Sequence, residues 1–98
     1  MKAYDSLYIN GAWVPSTGSG TLSVTDSATE EVIATIPDGS AADVDAAVAA
    51  AKAAFPAWSA TTKEQRAEFL MKINAGLEAR TDELADTFAR EVGMPLML

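Results

Sequence analysis

Alanine sets the strongest limit on what this chain can fold into: 20 of its 98 residues are Ala, and 11 of them lie between Ala41 and Ala60. Ala loses no side-chain entropy in a helix, so so dense a block selects a helix over any other local structure. The same block thins out the bulky core formers. Apolar residues make up 49% of the chain, but much of that fraction is methyl groups. Length adds a ceiling, since a chain this short buries only about two-thirds of its unfolded surface. One domain with one modest core is the most it can build.

The chain contains neither Cys nor His. That removes a disulfide framework, a Cys/His zinc site, a thiolate nucleophile and an imidazole general base. Fourteen Asp and Glu against seven Lys and Arg give a net charge of −7, without a basic cluster. Nucleic acid and anionic membranes are therefore disfavoured partners, because both need gathered cations. The opening Met1-Lys2-Ala3-Tyr4-Asp5 lacks the apolar core of a signal peptide, and no run approaches the about eighteen apolar residues of a membrane span. A cytoplasmic protein with no membrane partner is expected.

Along the chain, Leu7-Tyr8-Ile9 and Ala12-Trp13-Val14 flank Asn10-Gly11, the pair that tolerates positive φ at both centres of a type I′ turn. A hairpin is predicted over 7–14. Pro15 to Gly20 is a connecting loop by composition. Alternation then predicts strands over 21–25 and 31–36, joined by the polar turn Asp26 to Glu30. Ser40 is a good N-cap with Asp43 three residues on, so a helix is expected over 41–54, where Pro56 pushes Phe55 out of helical geometry. A second helix over 63–79 opens on one of two overlapping capping boxes, Thr61 with Glu64 or Thr62 with Gln65. It is expected to bury Phe69, Leu70, Ile73 and Leu77 and to pair Glu68 with Lys72. A third, over 82–92, is expected to be capped by Thr81-Asp82-Glu83, to repeat Leu84, Phe88 and Val92, and to end at Gly93 and Pro95. The architecture is α/β in class, locally α+β: a hairpin, a second strand pair and three helices.

Candidate chemistry is sparse. Glu30 with Glu31 and Asp82 with Glu83 are neighbouring carboxylates, but the first two sit beside a turn where they diverge into water. The second two offset the macrodipole of a helix start. Gly18-Ser19-Gly20 precedes a strand rather than a helix and has no following Lys, so it is no phosphate loop. Tyr8 and Trp13, flanking a hairpin turn, suit a cross-strand contact better than ligand stacking. No catalytic and no cofactor-binding residue is assigned.

The order of segments is more specific than any one of them. Leu7-Tyr8-Ile9-Asn10-Gly11-Ala12-Trp13-Val14, then Val24 through Glu31-Val32-Ile33-Ala34-Thr35-Ile36-Pro37, then Ser40 to Trp58, then Thr62 to Arg80, and finally Arg90-Glu91-Val92-Gly93-Met94-Pro95 resemble the amino-terminal region of NAD(P)-dependent aldehyde dehydrogenases. Members typically read "(F/Y)INGxW", "NPATGEVIAxVP", "DVDxAVxAAxxAFxxW" and "ExGKP" at these places. Two departures stand out: Asp26-Ser27-Ala28-Thr29-Glu30-Glu31 lacks the family's Pro and turn Gly, and Met94 replaces a common Lys.

The resemblance implies an aldehyde dehydrogenase-like fold of which this chain is the amino-terminal segment, part of the dinucleotide-binding domain. It also implies NAD or NADP as cofactor, an aldehyde substrate, and a homodimer or homotetramer for the full-length enzyme. The Cys nucleophile, the Glu that activates water and the cofactor loop lie downstream in the family, so the 98-residue chain alone is expected to be inactive. The apolar end Leu96-Met97-Leu98 fits a chain cut in mid-fold, and self-association is expected. Some members hold a monovalent cation, Na or K, between backbone oxygens before the "NPATGE" turn and the "ExGKP" carboxylate; the matching positions are Val24, Thr25 and Glu91. The competing reading is a free-standing α+β interaction module that binds a partner through its Ala-rich helix face.

Overall fold

In a computed structural model describing residues 1–95, five strands precede three helices: β1 (Lys2–Ala3), β2 (Ser6–Ile9), β3 (Ala12–Pro15), β4 (Thr21–Thr25), β5 (Val32–Pro37), α1 (Ala41–Ser59), α2 (Lys63–Ala79) and α3 (Thr81–Val92). The terminal Leu96-Met97-Leu98 lies outside the described residues. β2 and β3 form an antiparallel hairpin with Tyr8 opposite Trp13. A separate sheet runs in the order β1-β5-β4, with β1 parallel to β5 and β4 antiparallel to it.

Asn10 and Gly11 both have positive φ, 54° and 75°, as a two-residue type I′ turn demands. The Asp26–Glu31 turn is built around the Asp26 carboxylate, which accepts from the amides of Ala28 at 2.8 Å and Thr29 at 3.0 Å. Those bonds hold its carboxyl below the usual carboxylate range. Glu30 is forced to φ 64°, the conformation that Gly adopts without penalty and an L side chain resists by about 1–2 kcal/mol. Glu30→Gly is expected to raise stability by about 1 kcal/mol after the entropy of the freed backbone is deducted. Denaturant midpoints of the two chains check this; an unchanged or lower midpoint for the variant contradicts it.

Several expectations are corrected. α1 does not stop near Ala54 but runs to Ser59 with Pro56 inside it. Pro lacks the N–H that would bond to Lys52, but Lys52 is exposed, so water can serve its carbonyl. The last turn is closed by the Ser59 hydroxyl donating to Pro56 O (3.0 Å) and the Thr61 hydroxyl donating to Trp58 O (2.7 Å). Of the two overlapping capping boxes offered for α2, the second, Thr62 with Gln65, is the one that forms. The Thr81 hydroxyl donates back to Glu78 O and caps nothing; α3 begins after Arg80, whose guanidinium forms a bidentate pair with Glu83 at 2.9 Å. Lys72 lies 5.8 Å from the centre of the Phe69 ring, and the ion pairs among the described residues are Arg80–Glu83 and Asp86–Arg90.

The largest correction concerns the core. Among the described residues no hydrophobic side chain is buried. Phe69, Leu70, Ile73 and Leu77, expected inside, are exposed, as are Phe55 and Trp58 on α1. The reason is thickness: the molecule measures 47 × 37 × 15 Å, with a radius of gyration of 17.0 Å against about 13 Å for a compact chain of this size. In so flat and extended a slab the helices and strands lie largely side by side, and their apolar faces are left uncovered. Trp58 and Phe69 still meet, ring centres 5.6 Å apart, and join the two long helices. No helix among the described residues is long and apolar enough to cross a membrane.

Candidate functional site

The one buried polar side chain among the described residues is Asp43, 6% exposed, in the first turn of α1. Sequence spacing accounts for half of its environment. Asp43 accepts from the Ser40 amide at 2.9 Å while the Ser40 hydroxyl accepts from the Asp43 amide at 3.1 Å, a capping box. The other half arrives from the loop after β3: the Ser16 hydroxyl donates at 2.5 Å, and the amide and hydroxyl of Thr17 donate at 3.0 Å each. Ser16, with the Thr17 and Ser40 amides next, holds the Asp43 carboxyl far below the ordinary carboxylate range. A carboxylate saturated in this way is a poor proton acceptor at neutral pH and serves as a clasp between loop and helix. The signal for it in the sequence was Asp at the third helical position, which marks a cap and says nothing of a loop 26 residues away.

The Gly18-Ser19-Gly20 segment belongs to the same clasp. Gly18 N–H donates to the Ser16 hydroxyl, and a β-carbon at Gly18 would fall 2.9 Å from Asp38 O. Backbone carbonyl and carboxylate oxygens crowd this loop, the reverse of what a phosphate needs.

Tyr8 and Trp13 meet across the hairpin with ring centres 5.0 Å apart and ring planes tilted by 56°. Beside them lies a groove of about 480 Å³ lined by the turn and by Ala47, Ala50, Ala51 and Ala54 of α1. The Ala face thus approaches the hairpin of its own chain.

Val24, Thr25 and Glu91 fall at one corner without forming a single cavity. β4 and β5 slip register between Val24 and Thr25, which face Ala34 and Val32, so Ile33 is the extra residue of a bulge. The turn after β4 meets the end of α3 directly: Ser27 donates to Arg90 O through its amide at 2.8 Å and its hydroxyl at 3.2 Å. Glu91 lines a cleft of about 430 Å³ between α3 and the β1–β5 edge, where Val24 and Thr25 are not among the walls. Among the described residues no group of three His, Cys, Asp or Glu side chains could hold a metal ion. Glu30 and Glu31 close the Asp26–Glu31 turn, and Glu83 is engaged by Arg80.

The family model of the aldehyde dehydrogenase family matches residues 13–98. The chain belongs to the aldehyde dehydrogenase family. It is 39% identical over 97 residues to 3-succinoylsemialdehyde-pyridine dehydrogenase of a Pseudomonas species, covering 99% of this chain and 20% of that protein. The backbone superposes on aldehyde dehydrogenase from Bartonella henselae with a TM-score of 0.92 at 38% identity, covering 98% of this chain and 20% of that one. Against the Mycobacterium tuberculosis aldehyde dehydrogenase, complexed with NAD+, the TM-score is 0.91 at 38% identity, covering 98% and 20%. The chain thus corresponds to the amino-terminal part of aldehyde dehydrogenases and spans about one-fifth of the length of these relatives. A free-standing interaction module is not favoured, because strands, hairpin and helices together carry the dehydrogenase backbone.

Proposed function

We propose that this chain serves as the amino-terminal part of an NAD-dependent aldehyde dehydrogenase that oxidises an aldehyde to a carboxylic acid, and that it belongs to the dinucleotide-binding domain. The observation that carries this reading is the TM-score of 0.92 over 98% of the chain. NAD rather than NADP is supported by the NAD+-complexed relative from Mycobacterium tuberculosis.

The residues of this chain do not themselves fit the dinucleotide. Its one Gly-Ser-Gly loop leads into β4 rather than into a helix and is tied through Ser16 and Thr17 to Asp43, so this loop cannot cradle a pyrophosphate. The chain also has no Cys to act as nucleophile. Its contribution is architectural, with the apolar faces of α1 and α2 covered by other parts of the enzyme. Alone, the chain is inactive and self-associates through those faces; in the enzyme it is part of a cytoplasmic homodimer or homotetramer.

A monovalent cation is proposed at the corner of β4 and α3, with the backbone oxygens of Val24 and Thr25 and the carboxylate of Glu91 as donors. All-oxygen ligands suit a hard ion such as Na or K, and the bulge at Val24/Thr25 breaks the ladder where those oxygens lie. Replacing NaCl or KCl by choline chloride at equal ionic strength is expected to lower the melting temperature of the wild type. Glu91→Gln is expected to abolish that difference.

Complementation tests the main reading. The chain is co-expressed with a related aldehyde dehydrogenase lacking its own amino-terminal fifth, and NADH formation from an aldehyde is followed. Co-purification with activity absent from either piece alone is expected. Failure of the two pieces to associate, or aldehyde oxidation by the 98-residue chain alone, contradicts the proposal.

A further inference from the structure

The tip of the hairpin brings together two groups that the dehydrogenase reading leaves unused, the carboxamide of Asn10 and the backbone amide of Gly11. We infer that Asn10 is a site of spontaneous deamidation and isoaspartate formation, with the Gly11 nitrogen as the nucleophile. Both residues are exposed. Among the described residues, neither the Gly11 N–H nor the Asn10 side chain takes part in a hydrogen bond; the ladder closes at the Ile9–Ala12 pair, one residue outside them. Beyond its two chain neighbours, nothing lies within 4 Å of where a β-carbon on residue 11 would stand, and Gly11 itself carries no side chain to hinder attack by its nitrogen.

The step balances with water as the sole co-reactant. Solvent base removes the Gly11 amide proton, and the nitrogen attacks Cγ of Asn10. A new N–Cγ bond forms as the carboxamide C–N bond breaks, and ammonia leaves. Water then opens the resulting succinimide at either carbonyl. Opening at the backbone-derived carbonyl carries the main chain through the β-carbon and yields isoaspartate; opening at the other yields Asp.

Each product matters to the fold. Isoaspartate inserts a methylene into a two-residue turn whose geometry sets the strand register, and the Tyr8–Trp13 pair at 5.0 Å depends on that register. Either product adds a negative charge to a chain already at −7.

The second Asn of the chain is an internal control. Asn74 lies within α2 and precedes Ala75, so the amide that would attack is engaged in the helical ladder and carries a β-carbon beside it. The purified chain is incubated at mildly alkaline pH, and peptides carrying each Asn are quantified by mass and by chromatographic separation of Asp and isoaspartate. Conversion at Asn10 is expected to outrun that at Asn74 by about tenfold or more, since α2 must open first. Asn10→Gly keeps a turn compatible with type I′ geometry and removes the carboxamide. Its near-ultraviolet circular dichroism from Tyr8 and Trp13 is expected to survive an incubation that erodes the wild-type signal. Equal conversion at Asn10 and Asn74, or equal loss of that signal in Asn10→Gly, overturns the proposal.

Discussion

Asp43→Ala is expected to release the Ser16–Gly20 loop from α1 and to be the most disruptive substitution at any carboxylate of the chain. Removing the side chain strips acceptors from the Ser16 hydroxyl, the Thr17 amide and hydroxyl, and the Ser40 amide at once. Two of those donors are backbone amides in a part-buried setting, where an unmade hydrogen bond costs more than a made one contributes. Ser40→Ala is the comparison: it removes the N-cap acceptor and the bond between the Ser40 and Thr17 hydroxyls but leaves the Thr17 and Ser40 amides their Asp43 acceptor, and costs about 1 kcal/mol. Hydrogen exchange reads the difference directly: the Thr17 and Ser40 amides lose protection in Asp43→Ala, whereas Ser40→Ala leaves Thr17 protected. Loss of protection at Thr17 in both variants, or in neither, contradicts the clasp.

Acid tests the same clasp. The native carboxyl is held below its usual value of 3.8, so the unfolded chain takes up the proton first as pH falls. The stabilisation is therefore complete above about pH 4 and drains away below it. Asp26 and Glu83, also held low by their partners, act in the same sense. Stability should be flat through neutral pH and fall on the acid side, with the fall blunted in Asp43→Ala.

Gly93→Ala is expected to cost about 1–2 kcal/mol, because position 93 closes α3 in the left-handed region. Its φ is 72° and its ψ 20°, and its N–H donates to Ala89 O at 3.1 Å. Space adds to the backbone cost. A β-carbon here would sit 3.2 Å from the Ser27 hydroxyl oxygen, the same hydroxyl that donates to Arg90 O. The added methyl therefore pushes on the contact that joins the β4–β5 turn to α3. Denaturant titration of Gly93→Ala beside Gly93→Asn separates the two effects, since Asn tolerates positive φ while still carrying the β-carbon. A midpoint for Gly93→Ala equal to the wild type contradicts both.

What was legible in the sequence was local. Asn10-Gly11 announced its turn because few residue pairs accept positive φ twice, and Ser40 with Asp43 announced the start of α1 through a spacing of three. The features that sequence could not supply depend on distant partners or on competition between rules. β1 is two residues long and carries no periodic pattern; it exists because it pairs in parallel with Ala34 and Thr35. Pro56 argues locally for a stop, but Ala propensity and two hydroxyl groups on the last turn carry α1 past it. Thr81 has cap chemistry, yet the carbonyl of Glu78 captures its hydroxyl. The order of motifs made the family legible, whereas no residue pattern within the chain revealed that its apolar positions would go unburied.

The thinness of the slab has a calorimetric consequence. A chain of this length with an ordinary core unfolds with a heat-capacity increase of about 1.2–1.5 kcal/mol/K, most of it from hydrating apolar surface. Here much of that surface is already wet, with Trp58 and Phe69 each 48% exposed, so the isolated chain should unfold with a smaller increase and a shallower dependence of stability on temperature. The missing heat capacity is deferred rather than lost. In the proposed enzyme it reappears, with negative sign, as Phe55, Trp58, Phe69 and Ile73 are covered.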